Sequence, residues 1–198
     1  NAIAWHLKDL DSYDPNDPEV GLVHRIDKDT SGLLVVAKTP DAKTSLGKQF
    51  FNKTTHRSYN ALVWGNFVED EGRIEGNIGR DPKDRLRMDV FSPDSEIGKP
   101  AVTHYKVLER YGYTTLVECI LETGRTHQIR VHTSFKKHPV YNDTLYGAGE
   151  GKVKTQEQVL QSFYLKFAKP FSSQIIELEI EPDEKLSKVL NYFRSRSV

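Results

Sequence analysis

The densest run of chemically capable side chains is His24-Arg25-Ile26-Asp27-Lys28-Asp29-Thr30-Ser31-Gly32, which leads straight into an apolar stretch, Leu33 to Ala37. Two carboxylates, Asp27 and Asp29, sit between two cations, Arg25 and Lys28. Asp29, Thr30 and Ser31 are residue types that bond their own backbone in turns, which leaves Asp27 free. A free carboxylate can attack as a nucleophile, take a proton, or stabilise developing positive charge. A salt-bridged turn accounts for the same residues. A second dense run is Leu121-Glu122-Thr123-Gly124-Arg125-Thr126-His127-Gln128-Ile129-Arg130-Val131-His132. On a helix, His127, Arg130 and Ser134 share one face at spacings of three and four, presenting a cation beside polar donors. An exposed basic helix would read the same way. His127 and His132 are five apart and do not form an H-E-x-x-H metal pair. The third feature is Arg57-Ser58-Tyr59, two basic residues (His56, Arg57) running into an aromatic at the start of a strand. Bases stack on aromatics and phosphates bind cations, but a core tyrosine with its hydroxyl at the edge gives the same pattern.

These residues need a scaffold, and its elements are readable from the pattern. Residues 3–10 look helix-like and lead into an acidic loop, Asp9 to Glu19, with Pro15 and Pro18. Gly21 to Ile26 suits a short strand, and Gly32 to Ala37 is an apolar run of strand length. Thr39-Pro40 predicts a helix start, with Ala42, Leu46 and Phe50 repeating every four residues to about Asn52. Ser58 to Trp64 predicts a strand. Residues 65–100, rich in glycine and proline, predict short strands and loops with a mobile basic stretch at Arg80, Lys83, Arg85 and Arg87. Val102 to Leu108 and Thr114 to Leu121 suggest a hairpin turning at Tyr111-Gly112. A helix over 126–135, strands over 163–167 and 174–180, and an amphipathic helix marked by Leu186, Val189, Leu190 and Phe193 complete the chain. In the last strand Ile176, Leu178 and Ile180 alternate with glutamates, so one face is wet. The expected class is α+β: a mixed, largely antiparallel, bent sheet flanked by a few helices.

Composition narrows the field. The 198 residues suffice for one domain with a real core, and 37% hydrophobic with 28% charged residues is globular rather than disordered. The single cysteine, Cys119, excludes an internal disulfide framework and a cysteine zinc site, and it suits a reducing cytoplasm. Twenty-eight basic residues balance 28 acidic ones, yet their distribution is uneven. Acids crowd 9–19 and 177–184, while 123–142 contains none, so the fold could gather one positive face. A mixed solvated surface is the plain alternative.

The segment HRIDKDTSGLLVVAK closely resembles the signature of the RluA family of RNA pseudouridine synthases, in which the aspartate is catalytic. RSYNALVWG and TGRTHQIRVH, with HPVYNDTLYG after it, resemble two further family motifs in the same order, and together they span residues 24–147. The resemblance implies the pseudouridine synthase fold over residues 1–198. It implies Asp27 as the catalytic carboxylate, Tyr59 as the aromatic stacked on the target base, and Arg130 as the partner of the aspartate. Arg25 would help fill the space left when the nucleotide leaves its stack. His24, Arg125, His127 and Arg57 are further candidates for holding substrate, and Leu178 or a neighbour for an apolar pocket wall. Structured RNA is the implied partner, large-subunit (23S) ribosomal RNA before transfer RNA. The asparagine/aspartate-lysine-proline stretch that usually precedes the first motif is absent. The chain opens on Asn1 rather than methionine, and an amino-terminal strand and any S4-type RNA-binding domain are expected to lie outside it. A family Leu-His-Ala stretch is replaced by Leu160-Gln161-Ser162.

The chemistry suits these residues. Converting an N1-linked to a C5-linked uracil breaks one glycosidic bond and forms another with no net oxidation or hydrolysis, so no cofactor and no metal are expected. The carboxylate must stay charged in a dry pocket, which an arginine fork can secure. The detached base must turn without being lost, which a flat aromatic contact permits. Flipping a base costs a few kcal/mol, offset by cation–phosphate contacts. Candidates are Arg57, Arg80, Lys83, Arg85, Arg87, Lys136 and Lys137. Two other readings were weighed. A non-catalytic RNA-binding module would have little reason to keep Asp27, Tyr59 and Arg130 together. A haloacid-dehalogenase-type phosphatase would use Asp27, Asp29 and Thr30 as its nucleophile motif, but it also needs a later Asp-Asp pair, and the chain has none.

Overall fold

The computed structural model describes residues 5, 7–10, 14, 19–147 and 149–196. Most of the opening helix and acidic loop therefore falls outside the described residues. Eight strands form one sheet: β1 (Ser31–Gly32), β2 (His56–Trp64), β3 (Glu71–Arg80), β4 (Met88–Phe91), β5 (Lys99–Arg110), β6 (Thr114–Leu121), β7 (Leu160–Ala168) and β8 (Ile175–Glu179). The order is β1-β7-β2-β6-β5-β3-β4, and β8 pairs with β7. Only β1 and β7 run parallel. The described helices are α1 (Pro40–Phe51), α2 (Gln128–Phe135) and α3 (Glu184–Arg194). This is the α+β, mostly antiparallel arrangement expected from the pattern.

Strand β2 is central and buried at Arg57 through Val63 without alternation, because both faces of the sheet are covered. Ala61 and Val63 face a cluster with Val117, Ile129 and Leu160. Leu62 faces the other side, where Leu186, Val189, Leu190 and Phe193 of α3 pack with Tyr141 and Val159. α3 begins at Asp183, whose Oδ1 accepts from the Leu186 N–H at 2.7 Å. α1 begins as its sequence predicts, with Thr39 Oγ1 accepting from the Ala42 N–H at 3.2 Å and Pro40 at its first position.

Five local expectations are revised. The apolar run after Gly32 is strand only at Ser31–Gly32, and the expected strand over 21–26 is reduced to one isolated bridge, Leu22 with Val36. The reason is where the backbone bonds go. The Val35 N–H donates to His24 Nε2 at 3.1 Å rather than to a neighbouring strand, while Leu33, Val35 and Ala37 pack with Leu46 and Leu165. Conversely, β3 runs unbroken for ten residues despite Gly72, Gly76 and Gly79. At Gly76 a Cβ would lie 2.5 Å from Val90 Cγ1, so that glycine admits a neighbour instead of ending the strand. The basic stretch 80–87 is a bonded hairpin turn: Asp81 Oδ1 accepts from the Lys83 N–H at 2.7 Å, and Arg80 Nη1 donates to the Arg85 carbonyl at 2.8 Å. Finally, β8 is an edge strand and Leu178, 45% exposed on it, is not among the residues that line the Asp27 cavity described below.

Candidate active site

Asp27 sits in a turn closed by the Thr30 N–H donating to its carbonyl at 3.1 Å. Asp29 follows at φ 71°, a conformation that aspartate tolerates better than most residues. The turn is pinned from the far end of the chain. Gln158 Nε2 donates to the Lys28 carbonyl at 2.9 Å, Lys185 Nζ donates to the Asp29 carbonyl at 3.2 Å, and the Ser31 hydroxyl donates to Asp183. The side chains of Thr30 and Ser31 thus bond distant residues, not their own turn as their types suggested. Beyond the turn, Gly32 meets Ser162 of β7 so closely that a Cβ would lie 2.0 Å from the Ser162 carbonyl oxygen, and its φ is +108°. Only glycine fits there, and this contact fixes the Asp27 turn against the sheet.

The cation reaches Asp27 from α2. His127, at φ 56°, turns the chain into the helix without a side-chain cap. Its backbone N–H points at Asp27 Oδ1, 3.4 Å away. Gln128 anchors this corner: its Oε1 accepts from Thr123 Oγ1 and the Arg125 N–H, and its Nε2 donates to the Val102 carbonyl and Thr103 Oγ1, all within 3.0 Å. Arg130, one helical step on, directs Nη1 to Asp27 Oδ2 at 3.6 Å. Its fork, however, grips another carboxylate. Nε donates to Asp143 Oδ2 at 2.6 Å and Nη2 to Asp143 Oδ1 at 2.9 Å. Asp143 is 0% exposed, and its Oδ1 also accepts from the Leu145 and Tyr146 N–H groups. Burial works against the Arg130 charge, but its hydrogen bonds to Asp143 together with the charges of Asp143 and Asp27 more than offset it, and the guanidinium is held above its ordinary value. Bidentate pairing with Asp27 was the expectation from sequence. The structure gives the fork to Asp143 and leaves one nitrogen for Asp27.

Tyr59 faces Asp27 across a small cavity. It lies on β2 where the β2–β7 register slips: Ser58 pairs with Tyr164 but Tyr59 pairs with Ser162, leaving Phe163 as a bulge. Bulges re-aim side chains and recur beside active sites. Tyr59 is buried, and burial pushes its hydroxyl up, opposed by Arg57 and a hydrogen bond with Ser162. Arg25, Asp27, Arg57, Tyr59 and Arg125 line the cavity, with Ile26, Leu121, Ile129 and Leu160 as its apolar walls. Its free volume is about 40 Å³, room for ordered water rather than for a nucleoside. Arg25 is exposed at the rim.

Of the remaining candidates, Arg57 and Arg125 line the cavity, and His127 and His24 are held beside it. Arg125 is tethered by Nε to the Pro100 carbonyl at 3.0 Å. The His127 ring is engaged with the Tyr146 hydroxyl at 2.8 Å, and burial holds it below the ordinary histidine range, with Asp27 opposing. His24 stacks on Phe50 at 4.6 Å and is lowered to about 4 by burial and then by Arg57. It lies on a groove that adjoins the cavity. Asp143, Tyr146 and Gln128 were not singled out by sequence reasoning. Tyr146 carries Arg87 and Arg130 near its ring, at 5.3 and 5.2 Å from the centroid. The phosphatase comparison also fails on spacing, because Thr30 follows Asp29 directly. No described helix is long and apolar enough to cross a membrane.

A turn-borne carboxylate and an aromatic thus meet on one cavity, with a buried arginine beside the carboxylate, over a mostly antiparallel sheet. The profile of the RNA pseudouridylate synthase family matches residues 6–135. The chain is 43% identical over 194 residues to YlyB of Bacillus subtilis, described as an uncharacterized RNA pseudouridine synthase, covering 98% of this chain and 62% of that protein. It is 41% identical over 202 residues to the ribosomal large subunit pseudouridine synthase D of Nitrosomonas europaea, covering 98% of this chain and 56% of that protein. The solved structure of human RNA pseudouridylate synthase domain containing 1 superposes with a TM-score of 0.70 at 28% identity, covering 87% of this chain and 79% of that one. The chain belongs to the RNA pseudouridylate synthase family. It spans about three-fifths or less of the length of these two curated relatives.

Proposed function

We propose that this chain is the catalytic part of an RNA pseudouridine synthase that isomerises uridines in large-subunit ribosomal RNA, a substrate that places it in the cytoplasm. The observation that carries the reading is the Asp27 carboxylate on the cavity wall, facing Tyr59 and backed by an arginine that another carboxylate holds in place. Family membership and the name of the synthase D relative support the reaction and the RNA. Structured RNA is the partner, and transfer RNA the second substrate to compare.

Asp27 acts at the ribose of a flipped uridine. It can attack C1′, take the C2′ proton, or stabilise cationic character at C1′. In each case the glycosidic nitrogen leaves with the bonding pair, the uracil turns against Tyr59, C5 bonds to C1′ and then loses its proton, and N1 gains one; a proton taken from C2′ in the second route is returned to it. Arg130 orients the carboxylate and places a positive charge beside it. Neither redox equivalents nor a hydrolytic water enter the balance.

The test follows the departing proton. RNA carrying tritium at uridine C5 is incubated with the 198-residue chain, and tritium released to water is counted. Release is expected from the wild type and not from Asp27→Asn, while RNA binding survives the substitution. Turnover by Asp27→Asn refutes the assignment. RNA binding without release by the wild type favours the non-catalytic module instead.

A further inference from the structure

Arg57 is 7% exposed, yet among the described residues no carboxylate pairs with it. Its Nε is buried without a hydrogen-bond partner, and the guanidinium lies 5.2 Å from the Phe50 ring centroid. Buried charges are ordinarily paired, and every other buried ion of the site obeys the rule: Arg130 has Asp143, and Asp143 has four donors. Space is kept for the Arg57 head. A Cβ on Gly124 would stand 2.9 Å from Nη1 and 3.4 Å from Nη2.

The guanidinium forms part of the wall between two concavities. One is the Asp27 cavity; the other is an adjoining groove of about 380 Å³ that shares Arg25, Arg57, Gly124 and Arg125 with it and extends over Phe50, Phe51 and Lys53. Phe51 is 87% exposed at the groove's edge. Glu122, the acid on this groove, is engaged with His104 at 2.6 Å. An unpaired buried cation, a lysine and an open aromatic face, one step from the reacting centre, match what a single nucleotide offers: an anionic linkage and a flat base.

We propose that this groove seats the nucleotide adjoining the target uridine, with its phosphodiester on the Arg57 guanidinium and its base against Phe51. The assignment rests on the RNA-isomerising reading above and adds where a strand enters and which linkage is gripped.

The test is a cycle of substitutions in protein and RNA. A stem-loop fragment of large-subunit ribosomal RNA with the target uridine in its loop is made with a neutral methylphosphonate at one flanking linkage, then at the other. Binding is read by fluorescence anisotropy. For the wild type, one of the two replacements weakens binding about ten- to hundred-fold, the scale of a hydrogen bond to a charged group. Arg57→Gln shows the same loss with native RNA and no further loss with the methylphosphonate. Phe51→Ala, at an exposed position that folding does not need, weakens binding to both RNAs by a similar factor. Thermal unfolding of Arg57→Gln at or above the wild-type midpoint confirms that an unpaired charge was removed. Two wild-type methylphosphonate titrations that both match native RNA overturn the subsite while leaving the isomerase reading intact. A methylphosphonate penalty of equal size in Arg57→Gln does so as well. Failure of the wild type to bind or modify any such RNA overturns both.

Discussion

Two carboxylates flank one guanidinium, and substituting each separates structural from chemical duty. In Asp143→Asn the shape is kept but the charge goes. Oδ1 accepts from Arg130 Nη2 and two backbone N–H groups, so the amide nitrogen takes the Oδ2 position. There it meets Arg130 Nε, a donor 2.6 Å away. One charge-assisted bond is lost, two donors face each other, and a fully buried arginine loses its counter-ion. Breaking a buried pair in this way costs about 3–5 kcal/mol. For a domain of this size that lowers the unfolding midpoint by roughly 6–20 °C. In Asp27→Asn the losses are small: the Arg130 contact is 3.6 Å and the His127 N–H contact 3.4 Å, and neither is a strong hydrogen bond. Its cost stays within about 1 kcal/mol. Thermal and urea unfolding measure the two stabilities, and tritium release at a temperature where both variants are folded measures turnover. Asp27→Asn is expected to be stable and inactive, and Asp143→Asn destabilised and slowed. Equal destabilisation by the two variants, or a neutral Asp143→Asn, refutes the division of roles.

Arg130→Lys keeps the charge but not the fork, and one ammonium cannot bond both oxygens of Asp143 while reaching Asp27; kcat is expected to fall by at least about ten-fold, measured by the same tritium assay. Gly32→Ala drives a methyl group into the Ser162 carbonyl, so urea unfolding should show a loss of at least about 3 kcal/mol. Gly112→Ala meets nothing within 4 Å and should cost only the left-handed strain, roughly 1–2 kcal/mol. Burial, then Lys136, lowers His132 to about 4 from 6.5, so between these values the unfolded chain binds a proton that the folded chain refuses. Stability therefore falls as pH drops through 6.5 toward 4, by about 2 kcal/mol between pH 7 and 5 from this residue, and urea midpoints of His132→Gln should show that part of the slope removed.

Elements whose own residues carry both pattern and punctuation were legible. Thr39-Pro40 with apolar residues every four predicted α1, and Leu186, Val189, Leu190 and Phe193 predicted α3, because caps and amphipathic stripes are local. The run after Gly32 misled because hydrophobicity reports burial, and burial under α1 needs no strand partner; the N–H of Val35 goes to an imidazole. The glycines of β3 misled in the opposite sense. A glycine that makes room for Val90 has the same letter as one that ends a strand.

The site divides along the same line. Asp27 stood out beside a buried strand, but Tyr59 and Arg130 joined it only through the resemblance of their motifs to a known family, since each alone reads as a core tyrosine or a basic helix; the structure does bring the three to one centre. Asp143 did not stand out, since an aspartate in Tyr-Asn-Asp-Thr reads as a turn residue. It is one, accepting from the Leu145 and Tyr146 N–H groups, but the same carboxylate orients Arg130. Those turn bonds leave Asp143 little freedom to follow a substrate, so Arg130 is held by the immobile acid and offers its free nitrogen to the other. Asp27 sits in a turn at the cavity wall, and through this arrangement it keeps a charged neighbour without being locked to it. The catalytic role proposed for Asp27 needs both conditions, and a direct two-pronged pairing with Arg130 would have met only the first.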